Sequence, residues 1–167
     1  MFGFPLKLIR IVLSFPLASQ FPSKVAFCIL PLKVPSSLKV KVKVPMASNA
    51  STPSLVSFLY TGSPWDEIDV EILGKNTTQV QFNYYVNGVA NNEKVINLGF
   101  DAAYGFHRYA IEWGPGWINW YVDGKWKYGV NNTGMNAPYG KQMPSHPMQI
   151  MVNLWNGIGV DSWLKHF

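Results

Sequence analysis

Three acidic side chains, spaced two residues apart, are the part of this sequence best suited to chemistry. Glu67, Asp69 and Glu71 alternate with isoleucine and valine. This alternation predicts a β-strand with an apolar face that enters a core and an acidic face that does not. Like charges at such spacing repel more strongly as water is excluded, so the pKa values of the acids separate. Acids with different pKa values can serve as proton donor and nucleophile.

An acidic row can also be simply the solvated face of a surface strand, and for an arbitrary strand this is the more common interpretation. Two features favour chemistry here. No Lys or Arg interrupts the row, and Trp65 directly precedes it, with many aromatic residues following. Carboxyls flanked by flat aromatic rings are typical of sugar chemistry, in which one acid donates a proton, another attacks, and rings stack on the sugar.

Short strands separated by frequent turns surround the acidic row, and no stretch predicts a helix. Asn87-Gly88 is a turn signal, and Asp123-Gly124 is a strong hairpin signal. The predicted strands are Leu55–Tyr60, Asp66–Leu73, Gln79–Val86, Glu93–Leu98, Phe106–Trp113, Trp117–Val122, Lys125–Tyr128 and Met148–Trp155. This organisation predicts an all-β fold, an antiparallel β-sandwich.

Polar and aromatic residues on two further strands repeat the two-residue spacing of the acids. Asn83 and Tyr85 lie on the strand after the acidic row, and Asn153 and Trp155 lie on the last strand. Each taken alone is as well explained as a packed ring or a satisfied strand amide. If the strands share one sheet and one outward face, however, these residues line a groove with carboxyls at its centre. Because amides bind sugar hydroxyls and rings stack on sugars, the joint spacing predicts a polysaccharide cleft.

The acidic row and its flanks resemble one known family. Trp65–Lys75 is similar to the active-site strand of glycoside hydrolase family 16, in the form without a bulge residue before the last Glu. Bacterial-type lichenases and plant xyloglucan transglycosylases share that form. The resemblance runs from about Leu55 to Leu164. Further stretches in the same order resemble lichenases more closely, namely Val80–Gly88, Glu93–Asp101, Trp117–Gly124, Met151–Gly157 and Gly159–Leu164.

The resemblance implies a concanavalin A-like jelly-roll β-sandwich and a retaining, endo-acting hydrolase. The implied reaction cleaves β-1,4 bonds in mixed-linkage β-1,3-1,4-glucan, as in lichenan and barley β-glucan. By motif match Glu67 is the nucleophile, Glu71 is the general acid/base, and Asp69 tunes the charges of both. The substrate-binding positions match Trp65, Asn83, Tyr85, Asn153 and Trp155. No cofactor is expected. A structural calcium ion often occurs in this family, but its ligands are not identifiable in this sequence.

Two other functions stay open at this point. A transglycosylase would form the same covalent intermediate and pass it to a sugar acceptor, and the acidic row does not separate it from a hydrolase. The lichenase-like flanks favour water as the acceptor. An inactive carbohydrate-binding fragment would keep the aromatic residues without turnover, although the intact acidic row favours catalysis.

The first 50 residues differ in composition from the rest of the chain. Residues 1–64 contain seven basic residues and no acidic residue, whereas residues 65–167 contain seven basic and nine acidic residues. We predict a basic leader or linker over residues 1–50, with little fixed structure, and a partial family 16 catalytic domain over residues 51–167. Alternation of Lys with apolar residues over Leu38–Val44 allows an amphipathic strand instead.

Family members carry strands before Leu55 and a closing strand after the Trp163 region, for which this sequence shows no matching pattern. We therefore expect a sandwich shortened at both ends, and a chain that folds poorly or is inactive because sheet edges lack partners.

The composition also bounds the partners. No basic cluster accompanies the aromatic residues after residue 64, so no nucleic-acid partner is expected. No apolar run reaches 18 residues, so no membrane span is expected, and we expect a monomer. A polymeric glucan cannot enter cells, so the chain is expected to be secreted. The segment from Lys7 to Ser19 resembles a secretory signal only loosely, because Pro16 interrupts its apolar core.

Overall fold

A computed structural model describes residues 8–13, 24–32, 36–42, 54–74, 76–90, 92–136 and 140–155, with side chains between Tyr60 and Val152. These ranges contain eleven strands and no helix. The strands are β1 (Leu8–Leu13), β2 (Lys24–Leu32), β3 (Ser36–Val42), β4 (Ser54–Tyr60), β5 (Glu67–Ile72), β6 (Gln79–Tyr85), β7 (Lys94–Asn97), β8 (His107–Gly114), β9 (Trp117–Val122), β10 (Lys125–Asn131) and β11 (Met148–Trp155). In this part of the chain, therefore, no helix has the length and apolar character needed to cross a membrane.

The strands form two sheets. A five-stranded sheet has the order β1-β3-β8-β9-β10, and a six-stranded sheet has the order β2-β11-β4-β5-β6-β7. Pairing between the described strands is antiparallel except between β1 and β3, which are parallel. Each of the eight strands predicted from Leu55 onward is present. The largest difference between predicted and observed strand ends is in β10, for which the sequence predicts an end at Tyr128 but which continues to Asn131. Gly129 and Asn131 are residue types that favour turns, but here they stay paired with β9.

The segment predicted as a leader or linker contains three of the strands. β3 pairs with β8 in the smaller sheet, β1 pairs with β3, and β2 pairs with β11 in the larger sheet. The structure thus differs from the expectation of little fixed structure. Of the segment Leu38–Val44, for which the alternative is an amphipathic strand, the residues up to Val42 belong to β3, and the last two lie outside the described residues. Strand pairing uses main-chain groups, so a basic composition does not prevent it. The placement of a domain boundary at residue 50 stays a prediction.

The hydrophobic core lies between the two sheets. Ile68, Val70 and Ile72 form the inner face of β5 and are buried together with aromatic residues of the smaller sheet. Phe82 of β6 stacks on Trp120 of β9, with ring centroids 5.4 Å apart. Burying a large apolar side chain contributes about 1.5–3 kcal/mol, so this shared core holds the acidic strand against the opposite sheet. The acids of β5 consequently lie on the outer face of the larger sheet.

Candidate active site

The register between β5 and β6 places the predicted polar residues side by side. Glu67 is opposite Tyr85, and Asp69 is opposite Asn83. Residues directly opposite each other in a sheet share one face. The two strands therefore combine in one polar row, as the spacing predicts.

The last strand belongs to the same sheet, with β4 between it and β5. Asn153 is opposite Val56, and Val56 is opposite Glu71. By register Asn153 therefore falls on the acidic face, two strands away, and Trp155 falls on that face by alternation. The side chains of Asn153 and Trp155 lie outside the described residues, so their groove contacts stay predictions.

Asp69, in the middle of the row, is the most deeply buried of the three acids, at 2% exposure. Burial raises the pKa of Asp69 well above its usual value, and the charges of Glu67 and Glu71 raise it further. A hydrogen bond between Asp69 and Glu67 acts in the same direction. This raised pKa favours the protonated form of Asp69, whose proton can be donated to the Glu67 carboxylate.

Glu71 is only partly exposed. Burial raises its pKa to about 7, and the charges of Glu67 and Glu93 act in the same direction. Gln81, directly opposite on β6, opposes this shift, because its Nε2 donates a hydrogen bond to Glu71 Oε2. Sequence reasoning does not select Gln81, although its two-residue spacing from Asn83 is the signal that could have found it.

Glu67 is held by the aromatic residue that precedes the row. Trp65 Nε1 donates to Glu67 Oε2 at 2.6 Å. The Trp65 ring stacks on Tyr85 at a centroid distance of 5.3 Å and an interplanar angle of 9°, and meets Tyr60 edge-on at 6.3 Å. Trp65 is still 43% exposed. It can thus orient the Glu67 carboxylate and present an aromatic surface at the same time.

The two predicted binding residues of β6 differ in what they offer a ligand. Asn83 is buried, and its Oδ1 accepts a hydrogen bond from the Tyr84 main-chain N–H at 2.8 Å. The NH₂ group of Asn83 can donate to a ligand, while its Oδ1 is already used once within the strand. Burial, together with the neighbouring acids, raises the pKa of Tyr85 to about 12, so its hydroxyl stays protonated and can donate.

Asp66, immediately before the row, is a second feature that the sequence pattern misses. It is 1% exposed, and its side chain accepts main-chain hydrogen bonds from Asn87 at 3.2 Å and Ser145 at 3.0 Å. His146 adds its Nδ1 at 2.7 Å and its main-chain N–H at 3.4 Å. Burial alone would raise the pKa of Asp66, but these hydrogen bonds lower it. Asp66 thus connects two loops to the start of β5. The one sequence signal for this role is that Asp66 is a charged residue at a position where the alternation of the strand would place an apolar one.

Trp120 fixes the middle of the acidic strand from behind. Its indole Nε1 donates to the Asp69 main-chain carbonyl at 3.0 Å, across the core from the smaller sheet. Trp120 is fully buried, so this bond is shielded from water. The two residues are 51 positions apart in the chain, and no local pattern links them.

A calcium ion, which often occurs in this family, needs several oxygen ligands close together. Among the described residues, no three His, Cys, Asp or Glu side chains lie together in a way that could hold a metal ion. The described part of the chain therefore does not fit a carboxylate-rich metal site.

Fold and site together place the chain in the class of jelly-roll β-sandwiches that carry a row of acids on the larger sheet. The family model for glycosyl hydrolases family 16 matches residues 36–166, more than half of the chain. The chain belongs to this family, and the predicted fold class is confirmed. The match begins within the segment that the sequence predicts to be a leader or linker.

Individual relatives agree with this assignment. The chain is 56% identical to a beta-glucanase of Bacillus licheniformis over 114 residues, which cover 66% of this chain and 43% of that protein. A solved structure of Bacillus licheniformis beta-glucanase has a TM-score of 0.63 at 51% identity, covering 75% of this chain and 55% of the other. A beta-1,3-1,4-glucanase (lichenase) from a mouse hindgut metagenome has a TM-score of 0.59 at 40% identity, covering 85% and 56% of the two chains. The chain therefore spans less than half the length of the curated relative.

Proposed function

We propose that this chain carries the catalytic centre of an endo-acting β-glucanase that cleaves β-1,4 bonds in mixed-linkage β-1,3-1,4-glucan with retention of configuration. The observation that carries the proposal is a pair of carboxyls in unlike surroundings on one strand. Glu71 is largely buried, with a pKa of about 7, whereas Glu67 is held by the Trp65 indole. Two carboxyls made unlike by their environments are what retaining glycosidases require.

In the first step Glu67 is the nucleophile and Glu71 is the acid. A Glu67 oxygen forms a bond to the anomeric carbon of the sugar while the bond from that carbon to the leaving oxygen breaks. Glu71 gives its proton to the leaving oxygen, which departs as a sugar hydroxyl. With a pKa of about 7, Glu71 still carries this proton in about half of the molecules at pH 7, and it can exist as a carboxylate after losing the proton.

In the second step Glu71 acts as the base. It removes a proton from a water molecule whose oxygen bonds to the anomeric carbon, and the ester bond to Glu67 breaks. Gln81 supports this step, because its hydrogen bond stabilises the Glu71 carboxylate. The Glu67 carboxylate released at the end is again bound by Trp65 and by Asp69, whose raised pKa favours the protonated form that can donate.

The relatives support β-glucan as the substrate and water as the acceptor. The relative that is 56% identical is named a beta-glucanase, and the lichenase from the mouse hindgut metagenome is named for β-1,3-1,4-glucan. A polysaccharide this large stays outside cells, so we further propose that the chain acts extracellularly. We also propose that it acts as a monomer, because the groove is built from the strands of one sheet.

The test measures reducing ends released from barley β-glucan, lichenan, laminarin and xyloglucan. We expect the wild type to favour barley β-glucan and lichenan, and Glu67→Gln to release almost nothing. Glu93→Gln is the matched control, because Glu93 is an exposed acid beside the row. Equal release by the wild type and Glu67→Gln would remove the catalytic assignment, and transfer to added xyloglucan oligosaccharides would replace hydrolysis by transglycosylation.

Azide separates the roles of the two acids. With Glu67→Ala, azide can take the place of the nucleophile and give a product of inverted configuration. With Glu71→Ala, azide can attack the covalent intermediate in place of activated water and give a product of retained configuration. The opposite pair of products would mean that the two roles are exchanged.

A further inference from the structure

The outer face of the five-stranded sheet carries aromatic residues on the side of the sandwich opposite to the acidic row. Burial along β9 alternates strictly: Trp117, Asn119 and Tyr121 are partly exposed, and the residues between them are buried. Since the buried set enters the core, these three residues face outward. No catalytic role in the proposed reaction uses them.

Trp126 of the edge strand β10 extends this face. It is 52% exposed and lies opposite Tyr121. Its indole Nε1 donates to Asn119 Oδ1 at 3.0 Å. A Cβ added at Gly129 would lie 3.2 Å from that Nε1 and would clash with Asn119 Oδ1. The indole therefore lies along the sheet, over space that any other residue at Gly129 would fill.

Trp117 also packs over a glycine, here one of the neighbouring strand. It is opposite Gly114, and a Cβ added at Gly114 would lie 2.7–3.0 Å from three atoms of the indole. Side chains do not tolerate such contacts, so the ring lies where the Gly114 side chain would be. Asn119, which binds Trp126, is two residues from Trp117, or about 7 Å along the strand. The two indoles thus border one continuous strip, flat against the sheet.

Polar groups lie beside this strip. Arg108, Glu112 and Tyr121 line a shallow hollow of about 160 Å³, together with Ala110 and Gly124. Arg108 and Glu112 carry opposite charges, so the hollow favours a neutral ligand with many hydroxyls over a polyanion. Flat rings bordered by hydrogen-bonding groups match a sugar chain, which has apolar C–H faces and a polar rim.

We propose that the strip formed by Trp117, Asn119, Tyr121 and Trp126, with Arg108 and Glu112 beside it, is a second binding site for a β-glucan chain. β-Glucan as the occupant rests on the proposed function. Binding one part of a long polymer here raises the effective concentration of the rest near the acidic groove. The site therefore favours polymeric over short substrates and has no effect on the chemical step.

The test measures retention by barley β-glucan in native gels, in a Glu67→Gln background that cannot cleave the polymer. A short mixed-linkage oligosaccharide, added in excess, occupies the groove. We expect the double variant Trp117→Ala/Trp126→Ala to bind the polymer about tenfold more weakly, because it loses two stacking rings. Trp126→Ala alone loses one ring and should bind about threefold more weakly. Tyr104→Ala, which removes an aromatic residue that is 74% exposed elsewhere, is the matched control and leaves binding unchanged.

A second measurement uses proteins with Glu67 intact. The expected result is a lower kcat/KM on polymeric β-glucan and an unchanged kcat/KM on the short oligosaccharide. The second site would be overturned if Trp126→Ala were retained by the polymer as strongly as the wild type, or if Tyr104→Ala weakened retention equally. It would also be overturned if kcat/KM fell equally on the polymer and on the oligosaccharide. If the wild type releases no reducing ends, the proposed function fails, whereas retention by the gel still tests this site.

Discussion

Replacing Gln81 by Met tests whether a single neutral donor sets the working pH of the proposed acid. Gln81 donates to Glu71 Oε2, and this bond lowers a pKa that burial raises to about 7. Met has nearly the same length as Gln and cannot donate, so the substitution removes the bond with little change in volume. The Glu71 carboxylate loses stabilisation, and its protonated form does not. The pKa of Glu71 should therefore rise.

The size of the change follows from the energy of the bond. A hydrogen bond to a charged group contributes about 1.5–3 kcal/mol, and one pKa unit corresponds to about 1.4 kcal/mol. Loss of the bond should raise the pKa of Glu71 by about 1–2 units. Because activity needs the protonated acid, the upper limb of the pH profile should move to higher pH by the same amount.

The assay is kcat/KM on barley β-glucan between pH 4 and pH 10. Gln79→Met is the matched control: Gln79 is two residues away on the same strand, and its Oε1 accepts a hydrogen bond from Asn76 Nδ2 at 2.9 Å. The control should keep the upper limb of the wild type. An upper limb for Gln81→Met that stays in place or moves to lower pH would refute this reasoning.

Three further predictions concern the acidic strand β5 and the residues that hold it in place. Glu71→Gln should raise the free energy of unfolding, measured with urea, by about 3 kcal/mol at pH 8 and by little at pH 4. The folded-state pKa of Glu71 is about 7 against an ordinary 4.5, so this carboxyl destabilises the fold increasingly as pH rises through that interval; an equal effect at both pH values would contradict this origin. Trp65→Phe keeps a ring but removes the donor to Glu67, so kcat on β-glucan should fall at least about tenfold while the melting temperature changes little; an unchanged kcat would show that the bond does not matter. Trp120→Phe should lower the free energy of unfolding by about 1–3 kcal/mol more than Trp113→Phe does, because it also removes the hydrogen bond from the Trp120 indole to the Asp69 carbonyl. Trp113 is equally buried, but its Nε1 has no partner among the described residues. Equal losses in the two variants would contradict a role for the Trp120 hydrogen bond.

Local signals in the sequence predicted the strands and turns of the larger sheet well. Two-residue alternation places Glu67 and Asp69 on the outer face because strand geometry leaves no other arrangement once the apolar residues enter the core. The Asn87-Gly88 signal is confirmed by positive φ angles of 50° and 76°. These predictions succeed because each depends on neighbouring residues.

Contacts between distant parts of the chain could not be predicted from spacing. The bond between Asp66 and His146 joins residues 80 positions apart, and the sequence around either residue does not indicate the other. The strands before residue 50 are a second case. Their residues lack the acids and the Trp and Tyr residues of the later strands, yet their main chains pair with β8 and β11.

The contrast between Asp66 and Asp69 shows why environment, more than residue type, decides the chemistry of this strand. Both aspartates are almost fully buried and lie three residues apart. Four hydrogen bonds, two of them from His146, lower the pKa of Asp66, whereas burial beside two other acids raises that of Asp69. Among the described residues, no Lys or Arg forms an ion pair with the acidic row, and the side-chain donors that reach it come from Trp65 and Gln81. Neutral donors orient a carboxylate without the strong pKa depression that a cation imposes, so an acid in the row can keep its proton at neutral pH and still give it up during the reaction.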